Sequence, residues 1–311
     1  IFHGFVESFP VNYGLQGNDS TTVIRAIDAF KLFNNATLDS IGCKLGSSLL
    51  GQTTRLAFGQ SQELSSVRVT NILNSFGYNL QQISTGTLQV QTQPITDTLL
   101  AALKKVEKAE NGTFFIGKDG KATFRDRNFR LTNTTTPEAT FGQGGSDLPY
   151  SDIKSSYDDT KIINTVLLTR TGGSQQSAVS DDSVQRFGTH SRTETGLLNI
   201  QDSDVLSIAD QKVVENDIPQ TSVDQLTFRP QVNTSLWPKA LGLDIGAFVK
   251  TNVLTPSGTT ESYDLFIENI RHDVDARNKS WSWRIGLSPA ETGAWILGVS
   301  KLGIDTNISY T

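Results

Sequence analysis

The sequence predicts a mainly β protein carrying a small α+β insertion, and three observations predict it. Runs of β-branched and aromatic residues with a period of two recur through the second half of the chain. Residues 60–127 switch instead to a period of 3.6. Hydrophobic residues make up 36% and charged residues 19%, and Asn, Gln, Ser, Thr and Gly fill the remainder, as strands joined by turns require. A length of 311 residues suits two or three domains of about 100–150 residues each.

Ile1–Ser8 sets Ile1, His3 and Phe5 against Phe2, Gly4 and Val6, which predicts a strand buried on at least one face and ended by Pro10. Thr21–Ile27 is a second β-branched run, and Asp28 is placed to cap a short helix beginning AFKLF. Val69, Ile72, Leu73 and Phe76 form one helical face closed by Gly77. Thr96 or Asp97 is placed to cap a second helix in which Leu99, Leu103 and Val106 share a face, stopped by Asn111-Gly112. TFFIGKDGKATF then reads as a hairpin, with Asp119-Gly120 expected to supply the positive φ angles of its turn. Beyond Tyr150 the strand candidates are 162–170, 222–228, 247–254, 262–270 and 280–287. The last is the cleanest, alternating Trp281, Trp283, Ile285 and Leu287 with Ser280, Ser282, Arg284 and Gly286. Together these runs predict a closed or nearly closed barrel in the second half. A helix over 202–217 presents Val205, Ile208, Ala209 and Val213 as one stripe.

The expected division is 1–55 as the C-terminal part of a first β domain, 56–140 as a small α+β domain, 141–290 as a second β domain with the packing helix, and 291–311 as an extension or linker. The chain contains no Met and starts inside strand-like sequence, so the N-terminal part of the first β domain is expected to precede Ile1.

Composition and motifs argue against most chemistry. The net charge of −5 disfavours a phosphate-binding surface, which needs clustered Lys and Arg. Residues 201–311, with 14 acidic and 9 basic side chains, hold all of that net charge. Cys43 is the sole cysteine and reads as a small buried apolar residue, and no disulfide or zinc pattern is available to it. No apolar run approaches the roughly 20 residues of a membrane-spanning helix. The acid pairs Asp158-Asp159, Asp181-Asp182 and Asp273/Asp275 lack the spacing of a calcium loop and read as turn formers. His190 lies near Ser191 and Asp181 without the G-x-S-x-G elbow of a hydrolase. The Gly-rich stretches 142–146 and 171–176 lack the Lys-Ser/Thr of a phosphate loop. Trp237, Trp281 and Trp283 are the candidates for stacking on a sugar, against the expectation that they pack as core. The reading therefore assigns no catalytic, cofactor-binding or metal-binding residue and expects no enzyme.

In order along the chain stand FHGFVESFP (2–10), RAIDAFKLF (25–33), TFFIGKDGKATFRDR (113–127), the ATFG to INTV stretch (139–166) and QRFGTHSRTETGLL (185–198). LWPKALGLDIGAFV (236–249), FIENIRHDV (266–274), WSWRIGLSPAE (281–291) and WILG (295–298) follow. This set resembles the minor tail proteins of siphophages, the tail-tip or baseplate-hub family related to the trimeric baseplate hub of contractile-tailed phages. The resemblance implies two tail-tube-like β-barrel domains bracketing a small α/β domain, the first barrel lacking its N-terminal part. It implies a homotrimer closing the tail tube, with the distal tail protein ring, the tape-measure protein and tail fibre or tip proteins as neighbours. It further implies phage DNA passing transiently without specific binding, and a place in the virion at the tail tip, after assembly in the bacterial host cytoplasm. The competing expectation is a carbohydrate-binding or adhesin-type β-protein serving host attachment.

Overall fold

The computed structural model describes residues 2–15, 20–37, 62–92, 97–144, 147–157, 159–219 and 221–290. Cys43, Asp158 and the 291–311 extension lie outside them. The chain divides into two compact units, Ile1–Arg127 with Leu167–Ser177 and Thr193–Ala209, and Asn128–Val166 with Ala178–Arg192 and Asp210–Thr311.

The first unit opens with four short strands, β1 (Phe5–Ser8), β2 (Val11–Asn12), β3 (Thr21–Thr22) and β4 (Arg25–Ile27). They pair as two antiparallel ribbons, β1 with β4 and β2 with β3. Helix α1 (Ala29–Asn35) follows, its N-cap Asp28 accepting a hydrogen bond from Phe30 N at 3.0 Å. Strand β5 (Glu63–Leu64) leads into α2 (Ser65–Phe76), whose Val69, Ile72 and Leu73 are wholly buried. Gly77 ends α2 at φ 78°, a left-handed conformation that costs an L side chain and suits glycine. After β6 (Gln81–Ile83) and β7 (Gln89–Val90) comes α3 (Leu99–Glu110). Its cap is Thr98, which accepts from Ala101 N at 3.2 Å, rather than Thr96 or Asp97. Asp97 pairs instead with Lys105, and Thr96 lies outside the described residues.

Strands β8 (Thr113–Ile116) and β9 (Ala122–Arg125) form the expected hairpin, with β6 added parallel to β9. At its turn only Gly120 has a positive φ, 82°, while Asp119 holds the turn by accepting from Lys121 N at 3.1 Å. The two-positive-φ turn expected from Asp119-Gly120 is thus replaced by a longer loop closed by Gly117 and Lys121. The core of this unit gathers Phe33, Ile72, Leu73, Leu99, Leu103, Phe114 and Phe124. Phe33 meets the edges of Phe76 and Tyr78 at 5.7 and 5.1 Å.

The chain continues through α4 (Phe129–Thr132), β10 (Ala139–Phe141), β11 (Tyr150–Ser156), β12 (Thr165–Arg170), β13 (Gln175–Val179), α5 (Asp181–Phe187) and β14 (Ser191–Leu197). Then come α6 (Asp202–Asn216), β15 (Ser222–Phe228), α7 (Trp237–Gly242), β16 (Phe248–Leu254), β17 (Thr260–Asp275) and β18 (Ser280–Pro289). Strands β12, β13 and β14 make a three-stranded sheet in the order β13-β12-β14. On α6 the expected stripe of Val205, Ile208, Ala209 and Val213 is buried.

The second unit is built on one six-stranded sheet in the order β10-β16-β17-β18-β15-β11. The β10–β16 pair is parallel and the other pairs are antiparallel. Its edge strands β10 and β11 do not pair with one another, so among the described residues the expected barrel is an open, curled half-barrel. The predicted alternation of β18 holds: Trp283, Ile285 and Leu287 are buried and Arg284 is exposed. They pack with Phe141, Phe228, Val249, Leu265 and Ile267. A bulge between Ile267 and Asn269 lets β17 run on for 16 residues, and Gly286 provides the space that Asn269 fills opposite it.

Candidate functional site

The residues singled out for chemistry do not converge. His190 is held as a strand-entry residue: buried Asn164 accepts from His190 N at 2.8 Å, and His190 Nε2 donates to Phe187 O at 3.2 Å. The Asn164 Nδ2 donates in turn to Ser183 Oγ (3.1 Å) and Gly188 O (2.7 Å). Ser191 sits exposed on β14, and Asp181 lies in the first turn of α5, where a carboxylate favours the helix dipole. Asp275 accepts from Arg277 N and Asn278 N at 3.0 and 3.2 Å, forming the β17–β18 turn. The Asn278 hydrogen bonds hold its carboxyl below the usual carboxylate range. Asp273 joins Arg271 at 3.1 Å and Arg284 at 3.3 Å. Asp275 thus takes the turn-forming role expected of these acids, whereas Asp273 pairs with arginines within the sheet.

The described residues of the Gly-rich stretches, 142–144 and 171–176, are bends and turns, the second running into β13. Asp147 N donates to Gly144 O at 3.1 Å in the first. In the second, Ser174 Oγ donates to Asp202 at 2.8 Å and Arg170 Nε to the same carboxylate at 2.5 Å. Hydrogen bonding from Ser174, with Arg170 beside it, holds Asp202 below its usual range. Among the described residues no cluster of three or more His, Cys, Asp or Glu could hold a metal ion, and no helix is long and apolar enough to cross a membrane.

The three tryptophans among the described residues form one aromatic group. Trp283 is 1% exposed and packs at 5.1 Å from Phe228 and 4.1 Å from His272. Trp281 and Trp237 are half-buried and pack on each other at 4.9 Å and on the core. Rings packed on one another in this way are core extensions, not the open flat shelf that stacks on a sugar.

Two buried ionisable groups escaped the motif reading. Arg68, 1% exposed, pairs with Glu63 and donates to Gln91 O at 3.3 Å. Glu110, fully buried, accepts from Ser65 Oγ (2.6 Å), Thr87 N (3.0 Å), Thr87 Oγ1 (2.7 Å) and Leu88 N (3.0 Å). A signal existed for both, since Arg68 stands four residues before Ile72 and Glu110 four after Val106, each on the apolar stripe of its helix.

The surface feature that stands out lies at the start of the chain. Phe2, Val6, Phe9, Tyr13, Leu15 and Ile24 are 59, 61, 68, 85, 90 and 66% exposed. The strand expected to be buried on at least one face is exposed over Phe5–Glu7, and among the described residues β4 is its only strand partner.

No protein-family model matches the chain, and no curated protein does. The fold is nevertheless shared with solved structures over nearly the whole chain. The tail protein from Neisseria meningitidis MC58 superposes with a TM-score of 0.58, covering 92% of this chain and 80% of that one at 11% identity. The 43 kDa tail protein of prophage MuSo2 from Shewanella oneidensis gives 0.53, over 93% and 77% at 11% identity. The prophage tail protein gp18 from Listeria monocytogenes EGD-e gives 0.50, over 92% and 78% at 12% identity. Identities this low establish a common fold.

Proposed function

We propose that the chain is a structural, non-enzymatic protein of a bacteriophage tail, and within the tail the hub of the tip. The observation that carries this is the whole-chain likeness to three proteins solved as tail proteins, each covered over more than three quarters of its length. The ordered sequence segments that resemble siphophage minor tail proteins support it independently. In this reading the curled sheet of the second unit is the wall of one tail-tube-like barrel, and β1–β4 belong to another. Residues 56–140 are the domain between them, and 291–311 the extension.

Three copies close the tail tube around its axis, beside the distal tail protein ring, the tape-measure protein and the fibre or tip proteins. A subunit with two barrels presents six from three chains, which matches a sixfold tube above to a threefold tip below. The acidic 201–311 stretch contributes to a channel whose wall repels DNA and lets it slide. Reconstruction of the virion tail tip tests this. Three copies around the axis are expected; six per ring, or a single copy attached outside the tube, overturns the hub assignment.

A further inference from the structure

We propose that His272 and Trp281 form an acid-sensitive clasp, closed while His272 is neutral, that holds the outer arm of β17 and β18 against the rest of the second unit. Residues 271–275 of β17 run past the last β16 pair, Phe248 with Phe266, and residues 280–282 of β18 run past the last β15 pair, Phe228 with Trp283. Among the described residues these stretches pair only with each other, and a two-stranded hairpin is marginal in water on its own. At the base of the arm the bulge between Ile267 and Asn269 already interrupts the ladder, which gives it a place to bend.

One face of rings holds the arm down. The register sets His272 opposite Trp283 and Val274 opposite Trp281, so these four side chains share a face. Trp281 packs on Trp237 of α7 at 4.9 Å and donates its Nε1–H to His272 Nδ1 at 3.3 Å. The His272 ring lies 4.1 Å from buried Trp283. That hydrogen bond exists only while Nδ1 carries no proton. Protonation turns Nδ1 into a donor that faces the indole N–H, and two donors cannot share one bond. One ring must turn away, and the imidazolium is better solvated with the arm lifted from the aromatic group.

The charged groups around the arm do not offset this. Arg271, Asp273, Asp275 and Arg284 alternate onto the opposite face, where Asp273 pairs with both arginines. Lys239, the one charged side chain of α7, is exposed. Neither strand therefore offers His272 a carboxylate on its own face to hold the proton. Burial against the tryptophans keeps the His272 pKa below the ordinary 6.5, so the clasp is closed at neutral pH and opens in mildly acidic solution.

Amide hydrogen exchange of the 311-residue chain at about pH 7.5 and about pH 5, corrected for the intrinsic pH dependence of exchange, tests the clasp. Protection at residues 273–275 and 280–282 is expected to fall roughly three- to tenfold at the lower pH, the worth of about one hydrogen bond, while that of β16 stays the same. His272→Gln, which keeps an acceptor but does not titrate, should hold its arm protection at both pH values. Trp281→Phe, which keeps a ring but has no N–H, should show the low protection at both. Wild-type protection that is unchanged or rises on acidification overturns the proposal. An equal fall in His272→Gln overturns it too, by placing the titration in Asp273 or Asp275, and so does a wild-type-sized fall in Trp281→Phe.

Discussion

His272 has two tryptophans as its nearest neighbours and titrates differently from a free histidine. Its Nδ1 accepts from Trp281 Nε1 at 3.3 Å and its ring meets Trp283 edge-on at 4.1 Å. Accepting at Nδ1 requires the neutral ring, and desolvation by the packed aromatics lowers its pKa below the ordinary 6.5. A lowered pKa in the folded state means that the unfolded chain takes up the proton first as pH falls. The contribution is therefore complete above about pH 6.5 and declines as pH drops toward the folded-state value. Denaturation midpoints measured from pH 8 to 4.5 for wild type and His272→Gln, which keeps an acceptor but cannot titrate, should differ by a curve flat above pH 6.5 and falling below it. A difference that is flat throughout, or that rises on acidification, would contradict this account. The alternation of Trp281 and Trp283 was legible in the sequence because period two is local. The pairing with His272 was not, since it depends on the β17–β18 register that sets His272 opposite Trp283.

Helix α3 shows what an element's periodicity reveals and what it conceals. Its apolar face of Leu99, Leu103 and Val106 was readable from spacing alone, and so was its end at Asn111, left-handed at φ 55°. The fate of Glu110 was not readable, because its partners Ser65, Thr87 and Leu88 lie 22 to 45 residues away. With no cation among those partners, the carboxylate is held by two backbone N–H groups and two hydroxyls, which tie the start of α2 and the β6–β7 connection to the end of α3. Gly86 permits this approach, since a Cβ there would overlap Ser65 Oγ. Glu110→Ala leaves the buried Ser65 hydroxyl and the part-buried Leu88 N–H without their acceptor, at about 1–3 kcal/mol each, so a total loss of about 2–5 kcal/mol is expected. Glu110→Gln, which retains one acceptor oxygen, should cost less. Chemical denaturation decides it; an Ala variant within about 1 kcal/mol of wild type would show that water replaces the carboxylate.

At the scale of the whole molecule, the two units are not consecutive stretches of the chain. The first unit takes most of its residues from the N-terminal 127 but returns for 167–177 and 193–209, so its core is completed by sequence far downstream. Leu198 belongs to that core, Leu198 O accepts from Gln91 N at 2.7 Å, and buried Asn199 donates to Ala109 O at 2.8 Å. Linear reading divides a chain by composition and local period, and such interleaving leaves no trace in either. The order β10-β16-β17-β18-β15-β11 escapes it for the same reason: its β10–β16 and β11–β15 pairs join residues more than 65 positions apart. A fragment of residues 1–127 therefore lacks the side chain that seals the core beside Val90 and the donor that satisfies Ala109 O. Both losses act on α3 and β7, the elements around which the unit is packed. The fragment should unfold at markedly lower denaturant than the same unit in the intact chain, with a shallower transition, as a core left open on one side loses cooperativity. Covalently joining residues 193–209 to it should restore much of the difference. Equal midpoints for the bare fragment and the intact chain, read by fluorescence and by circular dichroism, would mean that residues 1–127 carry the whole core and that the downstream segments only decorate it.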